Sequence, residues 1–154
     1  MNCHDIVAYL KSLADVEIAE NSQRYFKTGK GEYAEGDVFL GIRVPLIRKS
    51  VKEYRETSLS EINKLLKSEY HEVRLFSLLL LVYQFSKADR AHKAKIYHLY
   101  LKNIKYINNW DLVDSSASYI VGAYLFDKER TELYDLAASK NLWLRRIAII
   151  STAY

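Results

Sequence analysis

Trp110 and Asp114 are the residues of this sequence whose types and spacing point most directly to chemistry. They are four positions apart, which places an indole and a carboxylate on one face of a helix, one turn from each other. Both groups stabilise positive charge, the indole through the negative face of its ring and the carboxylate by direct attraction. Asn108 and Asn109 precede the pair and are typical of a helix start. The sequence therefore predicts a cation-stabilising site near a helix N-terminus.

The elements that must position this pair are predicted to be helices. The 154 residues include only five glycines and one proline, Pro45, a composition that favours packed helices over a barrel or sandwich. No segment alternates convincingly enough for a strand. Residues 2–28 predict two short helices, and residues 28–44 predict a long ordered loop with four of the glycines. The helices expected after this loop are 45–55, 59–67, 69–85, 89–104, 109–126, 129–138 and 141–154.

Helix starts are expected at several polar residues. Ser58 and Glu61 have the spacing of a capping box. Asn109 and Ser139 are candidate N-caps, and Asp127 is a candidate cap for a helix that begins at the next residue.

Two segments of the chain resemble each other at an offset of 71 residues. Residues 65–76 align with residues 136–147, with a serine matched in each and Arg74 matched to Arg145. Half of this offset fits one helix–turn–helix repeat of an α-solenoid. We therefore expect a right-handed solenoid whose middle repeat, 89–126, carries the tryptophan–aspartate pair.

A single domain is expected over residues 1–154, with N-terminal helices and the glycine-containing loop in 1–44 and repeats in 45–154. The last segment, 142–154, is apolar and still helical where the sequence stops. A terminal solenoid repeat normally presents a polar outer face. We therefore expect either that C-terminal repeats of a longer protein are lacking here or that another chain covers this end.

Charge and cysteine content limit the possible environments. The 23 basic and 19 acidic residues give a net charge of +4, which permits nucleic-acid binding without requiring it. Cys3 is the one cysteine, so a disulfide within the chain is impossible and a reducing cytoplasm is expected. No segment resembles a signal peptide, and the longest apolar run, 78–83, is too short to span a bilayer.

Four stretches of the sequence together resemble the AlkD-type DNA alkylation-repair glycosylases, which are built of HEAT-like repeats. The resemblance covers most of the chain and implies an α–α superhelix, a duplex DNA partner and no cofactor. The stretches are Tyr25-Phe26-Lys27-Thr28-Gly29, Phe39-Leu40-Gly41-Ile42-Arg43-Val44-Pro45, Asn109-Trp110-Asp111-Leu112-Val113-Asp114 and Asn141-Leu142-Trp143-Leu144-Arg145-Arg146-Ile147-Ala148-Ile149.

Members of this family excise N3- and N7-alkylated purines from DNA. The resemblance implies that Trp110 and Asp114 are catalytic and that Arg146, the third residue after Trp143, binds a flanking phosphate. A second family tryptophan has no counterpart within these 154 residues. The residues expected to contact DNA are Arg146, Arg145, Arg43, Lys27 and Lys30. If the protein is bacterial, we expect it to be associated with the nucleoid.

The expected chemistry follows from the charge of the substrate. An N7-alkylpurine is already cationic, and its glycosidic bond breaks through an oxocarbenium-like state on the sugar. Asp114 would stabilise that state and orient the attacking water, while Trp110 would lie against the cationic nucleotide. The leaving base needs no strong general acid, and no metal ligand set is visible.

Each of these residues also has a structural interpretation. Trp110 could pack at a repeat junction, and Asp114 could form an ion pair with a nearby lysine or arginine. Arg145 matches Arg74 and is expected to be the structural arginine of the repeat, and Trp143 is expected to lie in the core. The alternative function is a non-catalytic HEAT-type module that binds DNA or a protein partner.

Overall fold

The computed structural model of the protein describes all 154 residues and is all-helical, which confirms the predicted all-α class. A single isolated parallel bridge joins Val38 and Tyr70. The chain divides into two compact units, Met1–Leu80 and Leu81–Tyr154, here called the N-terminal unit and the C-terminal unit. None of the helices combines the length and apolar character that a bilayer span requires. The single domain and the solenoid of repeats stay predictions.

The helices follow the predicted order, and most of their ends lie within about three residues of the predicted ends. Those that begin in the N-terminal unit are α1 (Cys3–Ser12), α2 (Val16–Tyr25), α3 (Val44–Glu53), α4 (Leu59–Leu65) and α5 (His71–Lys87), which contains the division between the units. Those of the C-terminal unit are α6 (Arg90–Lys102), α7 (Trp110–Asp114), α8 (Ala123–Leu125), α9 (Thr131–Ala137) and α10 (Leu142–Ser151), with a 3₁₀ turn at Ile104–Tyr106 and a π-helical segment at Ser118–Gly122.

The glycine-containing loop of the N-terminal unit is ordered by hydrogen bonds from its backbone. The buried carboxylate of Glu72 accepts three of them, from the N–H groups of Leu40, Gly41 and Ile42, at 2.7–3.1 Å. Gly41 has a φ of 83°, and a Cβ there would lie 1.9 Å from the carbonyl oxygen of Asp15. This position therefore requires glycine, and the ordered loop predicted for residues 28–44 is confirmed.

A buried ionic cluster joins the same loop to α5. Asp37 lies 2.6 Å from Nδ1 of His71 through one oxygen and 2.6 Å from Nη2 of Arg74 through the other. The His71 ring stacks on Phe39 with 4.5 Å between centroids. Burial alone would raise the pKa of Asp37, but hydrogen bonds and positive charge from His71 and Arg74 outweigh it and lower that pKa. We call Asp37, His71 and Arg74 the Asp37 cluster.

The predicted helix 109–126 is interrupted in the structure. After α7 the chain turns at Ser115 and Ser116, and a π-helical segment precedes α8. The Ser116 hydroxyl donates to the carbonyl of Leu112 at 2.6 Å and lies 2.9 Å from the buried hydroxyl of Tyr100. A hydroxyl that bonds back to the preceding turn is a known cause of helix bending. The break therefore has a local cause in the serine pair.

Two of the predicted helix caps are wrong. Ser139 does not cap α10, because Asn141 accepts the N–H groups at the start of that helix and the Ser139 hydroxyl accepts from the Asn141 backbone. Asp127 caps no helix, since the next one begins at Thr131. Its carboxylate instead bonds to Lys128 at 2.9 Å. In both cases the side chain forms a hydrogen bond within the loop and none to the first turn of a helix.

Only one of the two hydrogen bonds of the predicted capping box forms at the start of α4. Ser58 accepts from the Glu61 N–H at 3.3 Å, which confirms the N-cap. The Glu61 carboxylate accepts from the Cys3 backbone at 2.6 Å and from Lys64 at 2.8 Å. The glutamate therefore ties α1 to α4.

Candidate active site

Helix α7 begins where the sequence places it. The side chain of Asn109, which is fully buried, accepts a hydrogen bond from the Trp110 N–H at 2.8 Å. Trp110 is the first residue of the helix and Asp114 the fifth, so the predicted one-turn spacing is confirmed. Both side chains are half-buried, which leaves part of each open to solvent.

The carboxylate of Asp114 is held by Arg146 in a two-bond pair. Nε of Arg146 donates to Oδ1 at 2.8 Å, and Nη2 donates to Oδ2 at 2.7 Å. This fork geometry is the strongest form of an arginine–carboxylate contact. The hydrogen bonds to Asp114 raise the pKa of Arg146 above its ordinary value, against a smaller opposing effect of burial. The pair fixes the direction of both charged groups.

The two partners meet because they occupy the same position in two similar helices. Both α7 and α10 follow an asparagine N-cap, and Asp114 and Arg146 are each the fifth residue of their helix. The fifth residue of α5 is Leu75. The fifth helical position is thus apolar in α5 and oppositely charged in α7 and α10.

A glycine allows α10 to approach the π-helical segment that follows α7. A Cβ at Gly122 would lie 2.3 Å from the backbone carbonyl oxygen of Ser151 in α10. The Ser151 hydroxyl also donates to the carbonyl of Ala117 at 3.4 Å. Because both contacts involve backbone atoms, they fix the distance between α10 and residues 117–122, which follow α7.

Arg145 and Arg146 have different roles in the structure. Nη1 of Arg145 donates to the carbonyls of Ser139 at 3.1 Å and Lys140 at 2.9 Å. Arg74 makes the equivalent two bonds with its own Nη1, to the carbonyls six and five residues before it. The predicted structural role of Arg145 is thereby confirmed. Its contact with DNA stays a prediction.

Trp143 and Asp111 are the sequence neighbours of the pair, and only the second lies as predicted. Trp143 is half-buried, so the prediction of a core position is wrong. Asp111 lies in the first turn of α7 and its carboxylate accepts from the Leu112 N–H at 2.8 Å, as expected of an acidic residue at a helix start.

The remaining predicted DNA contacts lie in the N-terminal unit. Lys27, Lys30 and Arg43 are all exposed. Lys27 has a left-handed φ of 56°, and Arg43 directly precedes α3 without capping it through its side chain. Their exposure is compatible with phosphate contacts, which stay predictions.

Taken together, the site offers an oriented negative charge beside an exposed arginine and an indole. Arginine has five N–H donors, and Arg146 uses only two of them on Asp114. The guanidinium can therefore hold the carboxylate and bind an additional anion at the same time. No three histidine, cysteine, aspartate or glutamate side chains come together in a way that could hold a metal ion.

Sequence reasoning missed the parts that bring α7 and α10 together. Gly122 was a detectable signal, since it is the one glycine within the predicted helix 109–126 and such glycines often have a packing reason. The pairing of Asp114 with Arg146 had no such signal, because the two residues are 32 positions apart.

Comparison with known proteins identifies the family of the chain. The family model described as DNA alkylation repair enzyme matches residues 6–154. No curated protein and no solved structure is similar enough to count as a relative. The family match covers almost the whole chain, including both helices of the Asp114–Arg146 pair, and the chain therefore belongs to the DNA alkylation repair enzyme family.

Proposed function

We propose that the protein is a DNA glycosylase that excises cationic N3- and N7-alkylated purines from duplex DNA. The observation that carries this proposal is the half-exposed Asp114 carboxylate, fixed by two hydrogen bonds from Arg146 and one helical turn from Trp110. A fixed charge stabilises a developing cation without having to reorganise during the reaction.

Asp114 would act on the sugar. As the bond between C1′ and the alkylated base breaks, the base leaves as a neutral molecule and the positive charge moves to the deoxyribose. An ionised carboxylate close to that ring lowers the free energy of this state. The same carboxylate can accept a hydrogen bond from the water whose oxygen adds to C1′.

Arg146 would connect this carboxylate to the DNA backbone. With two donors on Asp114, the guanidinium retains three N–H groups for a phosphate. The phosphate contact then sets the register of the strand against the carboxylate. In this arrangement Arg146 orients Asp114 and binds DNA with one side chain.

Trp110 would contact the damaged nucleotide. It is half-buried at the start of α7, so part of the residue is open to a ligand. The face of an indole attracts cations by about 0.5–2 kcal/mol, depending on how far the cation is desolvated. This preference would favour an alkylated, positively charged purine over an undamaged one.

The repeated Ser–Arg arrangement supports a HEAT-like solenoid as the scaffold. The loop contacts of Arg74 recur at Arg145, and stacked units of this kind form extended concave surfaces. We propose such a surface as the DNA-binding face, in a protein of the reducing cytoplasm.

The test is the release of N7-methylguanine from methylated duplex DNA. Asp114→Asn keeps the size and polarity of the side chain but removes its charge, and we expect release to fall at least about a hundredfold with DNA affinity nearly unchanged. Asp111→Asn is the matched control, since it removes a carboxylate from the same helix that is bonded to the helix start. Equal losses in both variants would contradict the proposed role of Asp114.

A non-catalytic DNA-binding module is the second candidate. The observation in its favour is the ion pair itself, because Arg146 balances the charge of Asp114 as it would in a purely structural contact. Such a module would bind methylated DNA without releasing any base, before and after Asp114→Asn.

A further inference from the structure

A second groove lies in the C-terminal unit, lined by residues that the proposed reaction does not use. It has a volume of about 340 Å³ and is bordered by the end of α5, the start of α6, α8 with the chain that follows it, and Tyr154. Its lining includes one acidic residue, Asp127, together with three basic and four aromatic side chains, which are Arg90, Lys93, Lys128, Phe85, Tyr124, Phe126 and Tyr154. The ring of Tyr154 packs edge-on against Phe126, with 5.6 Å between centroids.

Two of its cations make no direct bond to an anion, although the charge of Arg90 also acts on Asp127, which lines the same groove. Neither Arg90 nor Lys93 makes a side-chain hydrogen bond or ion pair, and Lys93 lies 5.3 Å above the ring of Phe85. The third cation, Lys128, bonds to Asp127 at 2.9 Å. That bond is the main cause of the lowered pKa of Asp127, which therefore carries a negative charge at neutral pH. The groove keeps a surplus of positive charge.

The aromatic rings lie next to these cations. Phe126 is 62% exposed, which is unusual for a large apolar ring and leaves much of it open. Tyr124 is supported on one side by the stacked ring of Tyr97, with 4.1 Å between centroids, and Lys128 lies 4.3 Å from its centroid. The groove thus offers flat apolar surfaces and free positive charge within one small volume.

We propose that this groove binds a nucleotide, with the phosphate on Arg90 and Lys93 and the base against Phe126. Proteins that hold unpaired nucleotides combine cations for the backbone with aromatic rings on which bases stack. A simple anion would contact the cations but not the rings. The carboxylate side chains of an acidic peptide would likewise provide no flat ring to stack. Both halves of the groove are used only by a ligand with a phosphate and an aromatic base.

The test is binding of a short, undamaged oligothymidylate to the 154-residue chain, measured by fluorescence anisotropy. Phe126→Leu keeps apolar bulk but removes the ring, and we expect affinity to fall at least about fivefold. Lys93→Gln should lower the salt dependence by about 0.7 units, as for one single-strand phosphate. All these side chains are on the surface, and unchanged melting temperatures will show that the variants fold.

Matched controls lie outside the groove. Tyr134→Leu removes an aromatic ring that is 77% exposed on α9, and Lys95→Gln removes an exposed cation from α6, the helix that carries Lys93. We expect both to bind like the unaltered protein. If the groove variants lose no more affinity than these controls, the proposal is overturned.

Competitors identify the ligand chemistry and its source. Displacement by thymidine monophosphate would support a site for a free nucleotide, and displacement by oligothymidylate alone would support a site for an unpaired strand. Inorganic phosphate or oligoglutamate that competes as well as the nucleotide would overturn the proposal, because the rings would then contribute nothing. No base excision is measured, so a failure here leaves the proposed glycosylase activity unaffected.

Discussion

Each unit of the protein contains an aspartate paired with an arginine, and the two pairs differ most in their access to solvent. The side chains of Asp37 and Arg74 are 4% and 6% exposed, whereas those of Asp114 and Arg146 are 33% and 39% exposed. The buried pair is completed by His71 and closes a loop onto a helix. The open pair joins two helices and still faces water.

This difference separates structural charge from chemically useful charge. A buried charge must be balanced by its neighbours, and removal of one partner leaves the other uncompensated in a medium of low dielectric. A partly exposed pair contributes little to stability, because water competes for both groups. Asp114 can therefore serve a substrate at small cost to the fold, whereas Asp37 cannot.

The largest effect is expected when Asp37 loses its charge. Asp37→Asn leaves Arg74 without a carboxylate in a buried site, and we expect the free energy of unfolding to fall by about 3–5 kcal/mol. Asp114→Asn should lower it by about 1 kcal/mol or less. Urea denaturation measures both, and similar losses in the two variants would show that exposure does not distinguish the pairs.

The next effect concerns the approach of α10 to residues 117–122, which follow α7. Gly122→Ala places a Cβ against the backbone carbonyl of Ser151, and we expect a loss of about 1–3 kcal/mol together with reduced base release. Gly29→Ala is the control, since its Cβ would meet only the flexible end of Glu32. A stable, fully active Gly122→Ala protein would mean that this contact does not set the geometry of the open pair.

A smaller effect should separate the two adjacent arginines. Arg146→Ala removes the proposed phosphate contact, so we expect the slope of log affinity against log salt to become shallower by about one unit. Arg145→Ala should change the slope by less and cost about 1 kcal/mol of stability, because two of its hydrogen bonds are to loop carbonyls. Titrations of DNA binding at several salt concentrations provide the measurement, and equal slopes for both variants would contradict the division of roles.

The smallest effect is the contribution of Asp37 to the acid sensitivity of the fold. Its pKa is lower in the folded protein than in the unfolded chain, so its stabilisation is complete above the ordinary aspartate value of about 3.9 and is lost as the pH falls through the folded value. The stability difference between the unaltered protein and Asp37→Asn should therefore shrink below about pH 4. If this stability difference stays constant below about pH 4, the charge of Asp37 does not contribute to the free energy of unfolding.

Local features of the fold and site were predictable from the sequence because they depend on short-range geometry. The Asn109 cap, the turn between Trp110 and Asp114 and the loop-binding role of Arg145 all involve residues within about six positions of each other. An i,i+4 spacing is set by helix geometry, and a cap depends on one side chain and the backbone next to it, although Ser139 and Asp127 show that a capping residue can be placed wrongly.

Features that depend on packing between distant segments were not predictable in the same way. The Asp114–Arg146 bond joins the fifth residue of α7 to the fifth residue of α10. It also depends on the close contact of Gly122, after α7, with Ser151 of α10. The break after Asp114 was also missed, because the apolar pattern of residues 109–126 continues through it. The spacing of apolar residues indicates which face of a helix is buried. It does not reveal the one extra residue that a π-helical turn contains.

The π-helical segment Ser118–Gly122 has a consequence for how this chain tolerates changes in length. A π-helix closes i→i+5 bonds, so it holds one residue more in its turn than an α-helix does. Deletion of a single residue there would let the segment wind as an α-helix, which advances by about 100° per residue. Because this deletion removes only the extra residue of the π turn, Trp110 and Asp114 before the segment and Phe126 after it would keep their directions. This segment is therefore the place where the chain can lose one residue without turning Phe126 and its groove away from the tryptophan–aspartate pair.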